Sequence, residues 1–278
     1  MKFSLIIATL NRKEELNECV NAILMQSNTD FEIIIVDQSE EATLKKEFID
    51  NQKIIYLQIN EKGLSHARNI GIERARGEYI CLIDDDGIPE IDYLNKVTNC
   101  IENEHPIIIG CQIIDPVTQE KKGPDKRKKV TYKDAFSYFC SPGMVIEANF
   151  QRSHLYDEMF GVGAKYGSGE ETDVVLAALS SGYFVLYDSR IHISHPVGFS
   201  KENKSIERVS KYAYGYGALC KKTVRQYSEF WGRYFIIKTV IGNYIISLLN
   251  KFKGIEDYKI RIARASQALK GYYEYRAE

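Results

Sequence analysis

Two hydrophobic periodicities alternate along the first 110 residues of the chain. Short continuous apolar runs predict strands buried on both faces, and the segments between them repeat apolar residues at helical spacing. This alternation predicts an α/β fold with a mostly parallel central sheet and helices on both faces. Strands are predicted over residues 3–8, 31–36, 54–57 and 79–83, and helices over residues 63–76 and 90–103.

The helix between the first two strands has the clearest pattern. Asn11 is followed three residues later by Glu14, a pair that resembles a capping box and predicts where this helix begins. Apolar residues then recur at i, i+3, i+4, i+7 and i+8, which predicts one buried face. These residues are Leu16, Cys19, Val20, Ile23 and Leu24.

Three consecutive aspartates, Asp84, Asp85 and Asp86, follow the apolar run of residues 79–83. Carboxylates at the end of a buried strand repel one another and lose hydration, so a shared divalent cation would hold them there most easily. A solvated acidic turn is the alternative. Because open α/β sheets bind ligands at the carboxyl ends of their strands, the position favours a metal site.

Polar side chains also follow the first two predicted strands. Their convergence at one edge of the sheet predicts the crevice of a nucleotide-binding domain. No G-x-G-x-x-G follows the first strand and no G-x-x-x-x-G-K-[ST] occurs in the chain, so dinucleotide and P-loop sites lose their main support. The polar residues are Thr9, Asn11 and Arg12 after the first strand, and Asp37 and Ser39 after the second.

Composition adds a division of charge. The chain has 278 residues, of which 44% are hydrophobic, enough for a sizeable core. Residues 1–200 carry 21 basic and 31 acidic side chains, whereas residues 201–278 carry 16 and 7, so the C-terminal segment suits an anionic partner or the acidic body itself. Six cysteines without a C-x-x-C pair indicate a reduced, cytoplasmic protein, and the apolar start of the chain is too short for a signal peptide.

Five segments, taken together, resemble the family-2 glycosyltransferases, which have the GT-A type of fold. Their order and spacing agree with the family over roughly residues 1–200. The resemblance implies a catalytic domain over residues 1–200, with a nucleotide-sugar-binding half (1–110) and an acceptor-side half (111–200), followed by a mainly helical extension over residues 201–278. The segments are IIATLNR (6–12), IIIVDQS (33–39), GLSHARNIG (63–71), GEYICLIDDD (77–86) and GEETD (169–173) ahead of SGY (181–183).

The resemblance also implies nucleotide-binding residues. Asp37 would accept hydrogen bonds from a base edge, and Arg68 and Asn69 would face the ribose or diphosphate, where cationic and amide donors suit anionic oxygens. Capping, turn formation or a surface ion pair is the alternative for Thr9, Asp37 and Arg68. The remaining nucleotide-binding positions are Thr9, Asn11, Arg12, Ser39, Gly63, Asp84 and Asp85.

A metal site and a general base follow from the same resemblance. Asp86 and Asp84 would bind Mg²⁺ or Mn²⁺, and His195 would be a third ligand or a diphosphate contact, unless it is only a turn residue before Pro196. In the first turn of a predicted helix, Glu171 would act as general base, although Asp is commoner at that position. Glu170 and Asp173 are rival bases, and attraction to the helix dipole alone could also explain all three.

Two further segments are predicted to be loops. The glycine-rich residues 161–169 would form a flexible loop on the acceptor side. The basic run at residues 121–129 is predicted to be an exposed loop, either solvated or in contact with acceptor phosphate. A nucleic-acid partner is not expected, because the body is acidic and no basic-aromatic stacking motif occurs.

The C-terminal region contains an apolar segment, residues 231–249, interrupted by Lys238 and Asn243. These interruptions argue against a free-standing transmembrane helix, which needs about 20 apolar residues. Flanking basic residues with Trp231 suit a helix at a membrane interface, and the expected location is then cytoplasmic, at the inner face of the cell membrane. Packing against the body or against a second subunit in a homodimer are the alternatives.

The sequence therefore predicts an inverting, metal-dependent glycosyltransferase of the hexosyltransferase type. It would move a sugar from a nucleotide-diphosphate sugar to a hydroxyl of a glycan or lipid-linked acceptor in cell-surface polysaccharide biosynthesis. A non-catalytic nucleotide-sugar-binding or scaffold protein on the same fold is one alternative. A haloacid-dehalogenase-like phosphatase is another, because Asp84, Asp86 and Gly87 also match D-x-D-G, although Ile88 follows where that class has Thr.

Overall fold

The computed structural model of the protein describes residues 1–196 and 205–276. They fall into two compact units. The first comprises Met1–Tyr156 and the segment that begins at Ala177, and the second comprises Asp157–Leu176 and the C-terminal helices. The predicted boundary at residue 200 lies outside the described residues and stays a prediction.

A mixed sheet forms the centre of the first unit. Its strand order is β3-β2-β1-β4-β9-β6-β10-β5, with β7 beside β6 and β8 beside β10. The first four of these strands run parallel, as the alternating pattern predicts, whereas β9 is antiparallel to both β4 and β6. The strands are β1 (Phe3–Thr9), β2 (Phe31–Asp37), β3 (Ile54–Gln58), β4 (Tyr79–Leu82), β5 (Ile88–Pro89), β6 (Ile108–Ile114), β7 (Lys121–Lys122), β8 (Arg127–Lys129), β9 (Val145–Glu147) and β10 (Val185–Ser194).

Helices accompany the sheet and form most of the second unit. The helix α7 begins in the second unit and ends in the first. The helices are α1 (Lys13–Leu24), α2 (Lys46–Ile49), α3 (Leu64–Arg74), α4 (Tyr93–Glu104), α5 (Tyr132–Tyr138), α6 (Ala148–Ser153), α7 (Glu170–Ser180), α8 (Ile206–Gln226), α9 (Glu229–Phe252) and α10 (Tyr258–Glu274).

The continuous apolar runs are buried on both faces of the sheet. Every residue of β2 is buried, and β1 has one partly exposed position. In the parallel register, Thr9 lies beside Asp37, the last residue of the adjacent strand. The polar residues that follow β1, β2 and β4 therefore meet at one edge of the sheet, as predicted.

Two local predictions are wrong. Asn11 does not cap the first helix, because α1 begins at Lys13 and Arg12 precedes it without a side-chain cap. Asn11 instead has a left-handed backbone, with φ of 57°, and its N–H donates to Ser39 Oγ. The basic run is not a loop throughout, because Lys121–Lys122 and Arg127–Lys129 add short antiparallel strands to β6 and β10.

In the second unit, α8 and α10 pack closely through small residues. A Cβ at Gly217 would overlap the carbonyl oxygen of Ala268, and one at Gly271 would overlap that of Tyr214. Side chains larger than hydrogen are therefore excluded at both positions. The predicted helical character of the C-terminal region is confirmed.

Candidate active site

The acidic turn after β4 is tied to the turn after β1. Thr9 Oγ1 donates to Asp85 Oδ2 at 2.8 Å. Arg12 donates to Asp85 Oδ1 at 2.9 Å and to Asp86 Oδ2 at 2.7 Å. Four of the predicted site residues thus contact one another, because β1 and β4 are adjacent parallel strands.

Asp84 is held from the other side by α3. Arg68, itself buried, donates through Nη2 to Asp84 Oδ1 at 2.8 Å and through Nη1 to Ser141 Oγ at 3.0 Å. Nothing in the local sequence around Ser141 marks it as a partner of this arginine. Each carboxylate of the turn therefore has a basic side chain beside it.

His195 follows β10 and reaches the same turn. Its Nε2 lies 2.9 Å from Asp86 Oδ1 and 3.4 Å from Asp84 Oδ2. The contact with Asp86 is a close approach of charges without hydrogen-bond alignment, so the buried Oδ1 accepts no hydrogen bond from the described residues. Asp84, Asp86 and His195 each present a ligand atom, all within 4.8 Å of one another.

The pKa values follow from this crowding. Burial lowers the pKa of His195, but the two carboxylates outweigh it and raise the pKa to about 9. Burial raises the pKa of Asp86, but His195 and Arg12 outweigh it and lower the value to about 2. Burial raises the pKa of Asp85 to about 6, because Thr9 and Arg12 oppose this shift only in part. The turn therefore attracts positive charge mainly at Asp86.

Asp37 lies at the end of β2 and is fully buried. It accepts hydrogen bonds from the backbone N–H groups of Ser39 and Thr43, from Thr43 Oγ1 and from the Tyr56 hydroxyl. Burial raises its pKa, but these donors outweigh it and the net pKa is lowered. Asp37 thus organises the loop after β2, and Thr43 and Tyr56 are partners that the sequence did not reveal.

Gly63 and Asn69 occupy two other positions of the predicted nucleotide site. The N–H of Gly63 donates to Gln38 Oε1 at 2.6 Å, and this glycine has a φ of 152°, a backbone that other residues rarely adopt. The Asn69 side chain both donates to Tyr156 O and accepts from Tyr156 N, each at 2.9 Å. Asn69 therefore fixes the chain at Tyr156.

The second unit holds the predicted general base and its rivals. Glu170, Glu171 and Asp173 lie in the first turn of α7, as predicted. Asp173 is buried and bound by Lys222 Nζ at 2.7 Å and by the Tyr227 hydroxyl at 2.9 Å. Sequence reasoning missed both partners, because each lies near the end of a long helix with no local motif.

The glycine-rich segment of the same unit is a tight turn. Backbone hydrogen bonds join Gly161 N to Tyr166 O and Tyr166 N to Met159 O, at 2.9 and 2.8 Å. Phe160 and Tyr166 are buried beneath it with ring centroids 4.9 Å apart. The acceptor-side role of this segment stays a prediction.

The chain is similar in sequence to known glycosyltransferases. The poly(ribitol-phosphate) β-N-acetylglucosaminyltransferase TarS of Staphylococcus aureus is 33% identical over 105 residues, 35% of this chain and 18% of TarS. The putative glycosyltransferase EpsH of Bacillus subtilis is 33% identical over 136 residues, 47% of this chain and 39% of EpsH. The matches thus span less than half of either relative.

The fold is similar to solved structures. The crystal structure of S. aureus TarS 1–349 in complex with UDP-GlcNAc aligns with a TM-score of 0.61 at 17% identity, over 78% of this chain and 66% of that one. The complex with UDP aligns with a TM-score of 0.60 at 14% identity, over 98% of this chain and 89% of that one. At this identity the similarity establishes the GT-A fold alone.

The sequence profile of Glycosyl transferase family 2 matches residues 4–157, more than half of the chain. The matched region contains β1, β2 and β4, whose ends carry Thr9, Asp37 and the three aspartates. This match argues against the alternative of a haloacid-dehalogenase-like phosphatase. The chain belongs to glycosyl transferase family 2.

Proposed function

We propose that the protein is an inverting, metal-dependent hexosyltransferase. It transfers a sugar from a nucleotide-diphosphate sugar to a hydroxyl of a glycan or lipid-linked saccharide, in cell-surface polysaccharide biosynthesis. Family membership and the β-N-acetylglucosaminyltransferase activity of TarS support the reaction class. The observation that carries the proposal is the cluster of Asp84, Asp86 and His195, in which a buried carboxylate oxygen accepts no hydrogen bond from the part of the chain that the structure describes.

The chemistry of this cluster fits a divalent cation. Asp84 and Asp86 offer hard oxygen ligands and His195 offers a nitrogen, a set that suits Mn²⁺ or Mg²⁺. A protonated His195 supplies one positive charge between the carboxylates. A divalent cation would supply two positive charges in its place, and the imidazole would then be a neutral ligand. When bound, the cation neutralises the charge that develops on the departing diphosphate.

The donor is assigned to the same edge of the sheet. Arg12 and Arg68 contribute positive charge beside the diphosphate, while Asp37 and Gly63 shape the loops that hold the base and ribose. Thr9 and Asp85 hold the turn that carries Asp84 and Asp86 in place. The other positions of this donor site are Asn11, Ser39 and Asn69.

Glu171 is assigned as the general base. It is half-buried, whereas Glu170 is buried and Asp173 is bound by Lys222 and Tyr227. Its carboxylate takes the proton of the acceptor hydroxyl while that oxygen bonds to the anomeric carbon and the bond from this carbon to the diphosphate oxygen breaks. Attack opposite the leaving group inverts the configuration.

The first experiment measures donor binding by calorimetry with UDP-, GDP- and dTDP-sugars, with and without Mn²⁺, and with a CMP-sugar as the monophosphate control. We expect Mn²⁺-dependent binding of one diphosphate donor, followed by transfer to a saccharide acceptor. Tight donor binding with neither transfer nor hydrolysis would indicate the scaffold alternative. Absence of binding under every metal condition would contradict the assignment of the acidic cluster.

A further inference from the structure

The helix α9 has its hydrophobic face outside. Seven large apolar residues recur every three or four positions along it and are between 37% and 83% exposed. A helix that packs on a soluble core normally buries such a stripe. We call these residues the outer stripe: Phe230, Tyr234, Ile237, Ile241, Ile245, Leu248 and Phe252.

The buried side of α9 is mixed in character. Phe235 and Ile236 are buried together with Gly232, Asn243 and Ser247. Asn243 Nδ2 and Ser247 Oγ donate to carbonyl groups of the helix itself, both at 2.8 Å, and Gly232 allows close approach to α8 at Cys220. Most of the large apolar side chains of α9 are thus exposed, whereas polar and small residues take up part of its buried side, an arrangement found in proteins whose outer surface faces lipid.

Basic side chains border the outer stripe on both sides. At 100° per residue, Lys238 lies on one flank and Arg233 and Lys251 lie on the other, with Lys253 just beyond the helix. Glu229, in the first turn of α9, contacts Arg233 at 2.6 Å, and no acidic residue occurs from residue 230 to residue 255, so Lys238, Lys251 and Lys253 carry the net positive charge. The border is therefore complementary to a negatively charged surface.

The charge pattern also distinguishes a helix on a membrane from one through it. Among the described residues, α9 alone is long and apolar enough to cross a membrane, and only 22% of its most apolar window is buried. Lys238 is exposed well inside the helix, where a spanning segment would place it among acyl chains. A helix lying flat keeps Lys238 at the level of the headgroups while the outer stripe enters the acyl boundary.

We propose that α9 docks the protein on the surface of an anionic lipid bilayer. The outer stripe inserts at the boundary between headgroups and acyl chains, and Lys238, Lys251 and Lys253 contact lipid phosphates. The packing of α8 on α10 through Gly217 and Gly271 gives α9 a close-packed support. The inference does not depend on the transfer reaction, since it rests on one exposed surface of the second unit.

The only tryptophan of the chain provides the test. Trp231 lies in the first turn of α9, with its ring centroid 5.1 Å from that of the exposed Phe230. The full-length protein is mixed with vesicles of phosphatidylcholine alone, or with one third phosphatidylglycerol, in which part of the phosphatidylcholine carries brominated chains. We expect sedimentation with the anionic vesicles, weakened by salt, and bromine quenching of Trp231 emission.

Matched variants separate the two parts of the surface. Ile241→Glu/Ile245→Glu is expected to weaken vesicle binding by about a hundredfold, because two apolar side chains would no longer enter the lipid. Ile91→Glu/Val117→Glu replaces two still more exposed apolar residues of the first unit and should leave binding unchanged. Lys238→Gln/Lys251→Gln/Lys253→Gln changes only exposed side chains, so we expect it to keep the fold and to lower binding to anionic vesicles by about a hundredfold.

Any of three results would overturn the proposal. The first is equal sedimentation of wild type and Ile241→Glu/Ile245→Glu, and the second is unquenched Trp231 emission in protein bound to vesicles. The third is a dimer in light scattering without lipid that Ile241→Glu/Ile245→Glu converts to monomer, combined with no binding of wild type to vesicles. A second copy of the chain would then cover the stripe.

Discussion

Lys222 Nζ lies 2.7 Å from Asp173 Oδ2, and each side chain is only 8% exposed. The same ammonium contacts Asp157 Oδ2 at 2.7 Å. Burial lowers the pKa of Lys222, but the two carboxylates outweigh it and the net pKa is raised. Burial also raises the pKa of Asp173, and the contact with Lys222 opposes this shift. Each of the two groups therefore keeps its charge because of the other. The pair joins α8 to the first turn of α7, which also carries Glu170 and Glu171.

Loss of this ammonium should destabilise the second unit. Lys222→Met leaves the buried carboxylate of Asp173 and the partly exposed one of Asp157 without their cation, and we expect a loss of about 3 kcal/mol in the free energy of unfolding, measured in urea. Lys211→Met removes a lysine of the same helix whose side chain is 71% exposed, and it should change stability by less than about 0.5 kcal/mol. Equal stability of both variants would show that the buried pair contributes nothing.

Asp86→Asn should lower transfer by about a thousandfold, because the position with the strongest attraction for a cation loses its charge. The variant should also bind Mn²⁺ more weakly in calorimetry, a readout that does not require activity. Asp92→Asn, an exposed aspartate six residues further on, is the control and should behave as wild type. Unchanged Mn²⁺ affinity in Asp86→Asn would place the metal elsewhere.

Glu171→Gln should lower the rate of transfer by about a thousandfold while the dissociation constant for the donor stays the same, because only proton removal from the acceptor is lost. Glu170→Gln, which changes the adjacent and more buried carboxylate, should retain transfer. Single-turnover kinetics with saturating donor compare the two. If Glu170→Gln were the inactive variant, the base would be the preceding residue.

The buried carboxylate of Glu32 should make the stability of the protein depend on pH. Burial raises its pKa, but Ser4 and Arg76 outweigh it by donating to its carboxylate at 2.6–2.8 Å, so the net pKa is lowered. A carboxylate whose pKa is lower in the folded than in the unfolded protein stabilises the fold at pH values above its unfolded pKa. This stabilisation is lost as the pH falls through the folded pKa. Glu32→Gln should therefore cost about 2 kcal/mol at neutral pH, and the difference from wild type should shrink below about pH 4.5. A difference that stayed constant with pH would exclude a charge effect.

Substitution by alanine should have opposite effects on the free energy of unfolding at two glycines in neighbouring helices. Gly217→Ala places a methyl group against the backbone of Ala268 and should cost about 3 kcal/mol of unfolding free energy. Gly242→Ala meets no atom within 4 Å and should stabilise by about 0.5 kcal/mol, because alanine loses less backbone entropy in a helix. Thermal unfolding measures both, and a neutral Gly217→Ala would mean that α8 and α10 separate at little cost.

The parallel half of the sheet, and the edge at which the candidate site residues lie, could be predicted from the sequence alone. Continuous apolar runs such as Ile33–Val36 can only be buried on both faces, and parallel strands bring their carboxyl ends, with Thr9, Asp37 and Asp84, to one edge. This information is local, since each strand and the turn that follows it are contiguous in the chain.

Only the tertiary structure decided which side chains meet across long separations. His195 lies beside Asp86 although more than a hundred residues separate them, and Lys222 neutralises Asp173 from near the end of a different helix. The basic run at Lys121–Lys122 pairs with β6 because an open strand edge was there to accept it. The direction of the outer stripe was equally hidden, because periodicity reveals that a helix has two faces, whereas packing decides which of them is buried.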